Sequence, residues 1–327
     1  MSVVGIIVIA RNEGEKLRQC FHSVGTDINR VVYVDSGSSD GSIDLARSLG
    51  VDVIELDLSI PFTAARARNA GFERLVSIHP DLEYVQFVDG DCELFPDWLA
   101  TAVNYLQEHQ DFAVVCGRQR ERYPQQTIYN LLFDLEWDTP VGEALACGGC
   151  ALIRVKALQE IGGYNPALIA GEEPEMCVRL RGQGWKIYRL GVNMTWHDAE
   201  MTKFSQWWKR SRRGGYAYAN VSWLHGKPPE SYWVKESRSI WLWGLVIPVL
   251  SLSGAYFTGG LSLLLLLVYP WLFYKIIRNQ EQMGRSPGEA KPFALFCVLA
   301  KFPQLLGQIE FHLQRLSGAQ ARLIEYK

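Results

Sequence analysis

From Ser239 to Tyr274 the chain runs 36 residues without an Asp, Glu, Lys or Arg. Such a segment has no charged face to turn to water, and one bilayer crossing needs only about 20 residues. The length therefore suits two passes with a turn near Gly259-Gly260, a hydrophobic hairpin over about 239–277. Arg238 precedes it and Lys275 and Arg278 follow, so both ends carry the positive charge expected on a cytoplasmic face. Trp241, Trp243, Trp271 and Tyr274 stand where interfacial anchors belong. The alternatives are a buried hydrophobic hairpin in a soluble protein or a re-entrant pair. Farther on, 292–316 is apolar but interrupted by Lys301 and Pro303, then carries Glu310, His312 and Arg315. That mixture predicts an interfacial or re-entrant amphipathic helix.

The first half of the chain follows a different rhythm. Short β-branched runs at 3–9, 30–34, 51–56 and 84–88 predict strands, and 13–24, 42–49, 64–77 and 96–108 predict helices. Strands alternating with helices imply parallel βαβ units, which bind ligands beyond the carboxyl ends of their strands. The candidate polar residues fall at those ends: Arg11-Asn12-Glu13 after the first, Asp35 after the second, Asp89 and Asp91 after the fourth. Beyond Phe112 the pattern loosens, with a strand expected at 144–153, a helix at 173–181 and a strand at 185–190 leading to His197.

A formal net charge of -2 over 327 residues gives no reason to expect nucleic acid as a partner. The N-terminus lacks the basic region of a signal peptide. Seven scattered cysteines form no disulfide framework and fit a reducing compartment. Cys147-Gly148-Gly149-Cys150 has the spacing of half a zinc site without a second pair, so two small buried thiols are expected.

Asp89-Gly90-Asp91 is the feature with most chemical content. On an extended strand, side chains at i and i+2 share a side, so two carboxylates there can share a Mg²⁺ or Mn²⁺ ion together with substrate phosphates. Asp35-Ser36-Gly37-Ser38-Ser39-Asp40-Gly41-Ser42 reads as a tight turn opening a helix, with Asp35 placed to hold a ribose or base. In Ala67-Arg68-Asn69-Ala70-Gly71, an ordinary solvated helix needs neither Asn69 nor Gly71.

Val8-Ile9-Ala10-Arg11-Asn12-Glu13, then Val34-Asp35-Ser36-Gly37, then Ala67-Arg68-Asn69-Ala70-Gly71, then Phe87-Val88-Asp89-Gly90-Asp91 resembles, in this order, the family 2 glycosyltransferases of the GT-A fold. The resemblance runs from about Val3 to Arg213. It implies an inverting transferase that uses a nucleotide-diphospho-sugar, a UDP-sugar foremost, with Mg²⁺ or Mn²⁺. Carried over by residue, Ala10, Asn12, Glu13 and Asp35 line the nucleotide pocket, and Arg68 lies near the base or phosphates. Asp89 faces ribose and metal, Asp91 is the principal metal ligand, and His197 completes the metal site unless it is merely structural. The base falls in Ala170–Cys177, where the family shows Glu-Asp and this chain has Glu172-Glu173-Pro174. Glu173 is the expected base, with Glu172 and Glu175 behind it; acids favouring a helix N-terminus are the plainer alternative.

Lys209, Arg210, Arg212 and Arg213 are expected to contact donor or lipid phosphates, with Gln206, Arg210 and Arg213 on the donor side, or else to form a solvated basic helix end. They match the Q-x-x-R-W signature of processive synthases only in part, since Lys209 and Arg210 occupy its last two positions. The resulting expectation is a GT-A domain over 1–230 and a membrane region over 231–327. Its catalytic domain would lie in the cytoplasm at the inner membrane, passing one sugar to a lipid-linked or glycan acceptor. A polyprenyl-phosphate acceptor, a nucleotidyltransferase and a non-catalytic scaffold of the same fold remain as alternatives.

Overall fold

The computed structural model describes residues 4–25, 28–318 and Ile324. The chain forms two compact units, Met1–Arg122 with Glu136–Ala199, and Tyr123–Leu135 with Glu200–Lys327.

The first unit is built on one sheet in the order β3-β2-β1-β4-β8-β6-β9-β5, with β7 paired to β9. Its strands are β1 (Val4–Ala10), β2 (Val31–Asp35), β3 (Asp52–Glu55), β4 (Tyr84–Asp89), β5 (Cys92–Leu94), β6 (Phe112–Glu121), β7 (Gly142–Ala144), β8 (Ala151–Arg154) and β9 (Lys186–His197). From β3 to β4 all neighbours are parallel, as the alternating pattern requires, and β8 then pairs antiparallel with both β4 and β6. The strand expected over 144–153 is two strands, because Cys147-Gly148-Gly149-Cys150 loops out between β7 and β8. The strands β1, β2 and β4 are buried almost throughout and read as unbroken apolar runs, which is what a sheet covered on both faces demands.

Helices α1 (Gly14–Ser23), α2 (Ser42–Ser48), α3 (Ala64–Ile78) and α4 (Trp98–Glu108) follow β1, β2, β3 and β5. Helix α3 lies against β1 and β2 closely enough that a Cβ on Gly71 would meet Ile7 Cγ2 at 2.5 Å and Val34 Cγ2 at 3.0 Å. The chain fills β2 and β3 on one side of β1 and then returns to β4 on the other. The switch point of the sheet therefore lies between β1 and β4, where Ile9 pairs with Asp89.

The second unit contains α5 (Ile128–Glu136) and α8 (Phe204–His225); α6 (Val155–Glu160) and α7 (Glu172–Gly182) belong to the first. Three further helices of the second unit, Val234–Phe257, Leu261–Gln282 and Pro287–Ser317, are long and apolar enough to cross a membrane by length and composition. Two of them are the expected hairpin, turning at Gly259-Gly260, both in the left-handed region. The third covers the stretch 292–316, for which an amphipathic helix is expected, and extends it at the N-terminal end. Pro303 falls in the first turn of Lys301–Ser317, where a missing N–H costs little, and Ala300 keeps helical dihedrals, so the two halves run on as one helix. Leu250, Leu252, Tyr256, Phe257, Leu261 and Leu264 are all more than half exposed, a surface suited to lipid rather than water.

Helix α8 and the third apolar helix meet backbone to backbone. A Cβ on Gly307 would lie 2.0 Å from the Arg212 carbonyl oxygen, and one on Gly215 2.0 Å from that of Gln304. Small residues permit this approach, as in helix pairs within bilayers. Arg212 is paired with Glu310 at 2.8 Å and the Tyr216 hydroxyl donates to Gln314 at 3.0 Å beside it.

Candidate functional site

The loops after β1, β2 and β4 form one rim of the first unit. Asn12 adopts φ 58, a left-handed conformation that asparagine tolerates, and ties two loops together. Its backbone N–H donates to Ser38 Oγ at 2.9 Å, and its Oδ1 accepts the Ser39 N–H at 2.7 Å. The Ala10 carbonyl accepts the Ser36 N–H at 3.1 Å, and Glu13 opens α1. Asp35 is buried, and its carboxylate is occupied locally: it accepts the Tyr33 hydroxyl at 2.6 Å and the N–H groups of Gly37 and Ser38 at 2.8 Å each. That turn shapes the rim whatever else Asp35 does. Burial and the neighbouring Asp35 raise the Tyr33 phenol well above its ordinary range.

The strand β4 ends at Asp89, so Asp91 lies in the turn before β5 rather than two places along an extended strand. Gly90 is required there: a Cβ would sit 2.4 Å from Ala10 Cβ, and the Gly90 N–H closes the ladder on the Ile9 carbonyl at 2.9 Å. The two acids consequently have different partners.

Asp89 Oδ1 accepts from Arg68 Nη2 at 3.0 Å. Arg68, 2% exposed on α3, also donates through Nη1 to Glu172 Oε1 at 3.0 Å and pairs through Nη2 with Glu173 Oε1 at 3.2 Å. One guanidinium thus joins three carboxylates from two distant segments. Burial disfavours its charge, but Glu173, Asp89 and Glu172 outweigh that and hold it protonated. Burial and the adjacent Glu172 push the Glu173 carboxyl up to about 7, with Arg68 opposing. Gly149 leaves room for the cluster, since a Cβ there would come within 2.6 Å of Asp89 Oδ2 and 2.7 Å of Arg68 Nη2. Asn69 secures the far side: its amide donates to the Tyr164 carbonyl at 2.7 Å and accepts the Tyr164 N–H at 2.8 Å, below a ring 5.6 Å from the guanidinium. Glu175 belongs to a different pair, with Arg179 at 2.8 Å.

Asp91 faces His197, with Oδ2 3.4 Å from Nε2. Potential ligand atoms of Asp91, Cys92 and His197 all lie within 4.8 Å of one another, and Asp89 stands outside this group. A hydrogen bond with Cys150 and burial raise the Cys92 thiol well above its usual value, and Asp91 and His197 supply the carboxylate and imidazole donors of the group. An oxygen and a nitrogen donor suit Mn²⁺, and Mg²⁺ less well, so the residues present fit the expected cation.

Gln206, Arg210 and Arg213 lie on α8 in the second unit. Gln206 Oε1 accepts the N–H groups of Thr202 and Lys203 at 3.0 Å each, a helix-start role that the phosphate reading did not anticipate. The Arg210 guanidinium lies over the Phe133 ring at 4.2 Å. Sequence reasoning missed Glu121 and Gly149. The first ends a strand whose last five residues are Gly117-Arg118-Gln119-Arg120-Glu121, and no apolar alternation marks them. The second was absorbed into the search for a zinc site.

Among solved structures, the chain is similar to the mannosyltransferase PcManGT from Pyrobaculum calidifontis, determined in complex with GDP-Man and Mn²⁺. The TM-score is 0.61 at 17% identity, covering 94% of this chain and 87% of that one. S. aureus TarS residues 1–349 align with TM-score 0.51 at 13% identity, over 96% of this chain and 91% of that one. These likenesses identify the fold as GT-A. Among curated relatives, glycosyltransferase AglE of Haloferax volcanii is 23% identical over 197 residues, 56% of this chain and 63% of its own length. Glucomannan 4-beta-mannosyltransferase 1 of Oryza sativa subsp. japonica is 25% identical over 122 residues, 34% of this chain and 23% of its own. The chain thus spans less than two thirds of either curated relative. The family description Glycosyl transferase family 2 matches residues 5–162, and this part of the chain, with the rim loops, Arg68 and Asp89-Gly90-Asp91 inside the match, is similar to that family.

Proposed function

We propose that this chain is an inverting glycosyltransferase that moves a sugar from a nucleotide-diphospho-sugar to a lipid-linked or glycan acceptor at the cytoplasmic face of a membrane. The observation that carries the reading is the division of labour at the end of β4. Asp91 faces His197 on one hand, and Asp89 is linked through Arg68 to Glu173 on the other. The first pair suits a cation bound to a diphosphate, and the carboxylate of Glu173 in the second suits a base. Residues 1–230 are read as the catalytic part and 231–327 as the membrane region, with three helices long and apolar enough to cross a membrane.

Asp91 and His197 would hold Mn²⁺ or Mg²⁺, which supplies neutralisation of the charge that develops on the leaving diphosphate. Asn12, Asp35 and the backbone of the rim loops shape the nucleotide pocket, with Ala10 and Glu13 at its edge. A carboxyl near 7 is matched to base catalysis at neutral pH, so Glu173 takes the proton of the acceptor hydroxyl as its oxygen attacks the anomeric carbon. The bond to the diphosphate breaks in the same displacement, which inverts the configuration. Glu172, buried and paired with Arg68, holds that guanidinium in place. Arg210 and Arg213 are assigned to phosphate groups at the membrane side. A UDP-sugar is the foremost donor; GDP-mannose is the alternative that the PcManGT complex brings in.

The test is a panel of UDP-, GDP- and other nucleotide sugars, scored for metal-dependent thermal stabilisation and then for turnover with membrane extracts. One donor class should stabilise the wild type, and Asp91→Ala should lose both responses. Turnover that survives Asp91→Ala and Glu173→Gln would defeat the assignment. A lipid phosphate acceptor is the second reading, favoured by the three apolar helices; a polyprenyl-phosphoryl sugar as sole product would select it.

A further inference from the structure

Glu121 is wholly buried at the end of β6, where a carboxylate must be tied down to be tolerated. Its Oε2 accepts the Ala199 N–H at 3.2 Å and lies 3.5 Å from His197 Nδ1. The sheet itself sets this pairing. Glu121 is the register partner of His197 in the β6–β9 ladder, and Cys92 is its partner from β5. The Arg122 N–H donates to the His197 carbonyl at 2.8 Å, and the Trp137 ring packs edge-on against the imidazole at 4.7 Å. The ring is therefore held with Nδ1 towards Glu121 and Nε2 towards Asp91.

We propose that Glu121 is a positioning residue for the candidate metal site. It takes the Nδ1–H of His197 and so leaves the Nε2 lone pair facing Asp91, which makes the two a preset N,O site for a divalent cation. A neutral imidazole has one donor nitrogen and one acceptor nitrogen, and the partner of one decides the state of the other. Without Glu121 the proton would settle on Nε2 and be donated to Asp91 Oδ2, 3.4 Å away, closing the site against a cation. Carboxylates behind ligating histidines are worth about 10- to 100-fold in metal affinity. The inference rests on the metal reading of Asp91 and His197.

The test uses the full chain with selectively ¹⁵N-labelled histidines, of which there are six, and His197 assigned through His197→Gln. At alkaline pH, where the ring is neutral, the wild type should show a protonated Nδ1 and a bare Nε2. Glu121→Leu should move the proton to Nε2 and weaken Mn²⁺ binding, read by electron paramagnetic resonance of free Mn²⁺, about 10- to 100-fold. Glu121→Gln, whose amide oxygen still accepts, should keep the tautomer and lose less affinity. In a His197→Ala background Glu121→Leu should change Mn²⁺ affinity no further. An Nε2–H tautomer in the wild type, or a Glu121→Leu protein with unchanged tautomer and affinity, overturns the proposal. If the wild type takes up no Mn²⁺ at all, the metal reading fails, and the ¹⁵N spectra alone decide whether Glu121 sets the ring.

Discussion

Replacing Glu173 by Gln keeps the shape of the side chain and removes its ionisation, and the structure gives the consequences a size. In the folded protein the carboxyl titrates near 7 rather than 4.5, because burial and Glu172 disfavour its charge more than Arg68 favours it. Between those two pH values the folded state binds a proton that the unfolded chain has released. Stability from this group is therefore present below pH 4.5 and is lost as pH rises through 7. At about 1.4 kcal/mol per pH unit, the loss is at most ~3.5 kcal/mol, and less than that since Glu173 is partly open to solvent and shares Arg68 with two other acids. Glu173→Gln escapes this loss. Its melting temperature in detergent should gain on the wild type by several degrees from pH 5 to pH 8, while its turnover should fall about 10²- to 10⁴-fold. Wild-type turnover should itself rise with pH through about 7 as the base ionises. A melting difference that does not change with pH would refute the account of the carboxyl, and a fully active Glu173→Gln would refute its role.

Three further substitutions probe the frame around it. Arg68→Met removes the cation shared by Asp89, Glu172 and Glu173, and breaking such a pair should cost on the order of 3 kcal/mol and drive the Glu173 carboxyl higher still, seen as an alkaline shift of any residual pH–rate profile. Gly90→Ala places a methyl 2.4 Å from Ala10 Cβ and should cost about 1–3 kcal/mol in thermal unfolding, with donor-induced stabilisation reduced as the rim shifts. Gly307→Ala would force α8 away from the third apolar helix. It should lower the melting temperature without altering Mn²⁺ binding, if the cation is held by Asp91 and His197 alone.

Much of the frame around the candidate site was legible in the chain because its physics is local. The strands β1, β2 and β4 are continuous apolar runs closed by turn residues, and their order alone brings Asn12, Asp35 and Asp89 to one rim. Asn69 and Gly71 stood out as unneeded by a solvated helix, and each has a contact that demands it: the Tyr164 backbone and the Ile7 side chain. What could not be read depends on pairings between distant segments. The polar second half of β6 becomes a strand only because β9 lies beside it, so Glu121 had no signature. The antiparallel return of β8 and the Arg68–Glu172 pair span more than sixty and a hundred residues respectively, beyond any local pattern. Asp89 and Asp91 were expected to face one way; the end of β4 at Asp89 and the close approach of Gly90 to Ala10 give them separate partners.

The proposed reaction is a single displacement at the site that Asp89-Gly90-Asp91 organises. Its most direct test is the anomeric configuration of the transferred sugar, read by proton NMR on the product of the purified full chain with its stabilising donor and Mn²⁺. Inversion relative to the donor, lost with Asp91→Ala and with Glu173→Gln, is the predicted result. Retention of configuration, or the same product from Asp91→Ala, would contradict it.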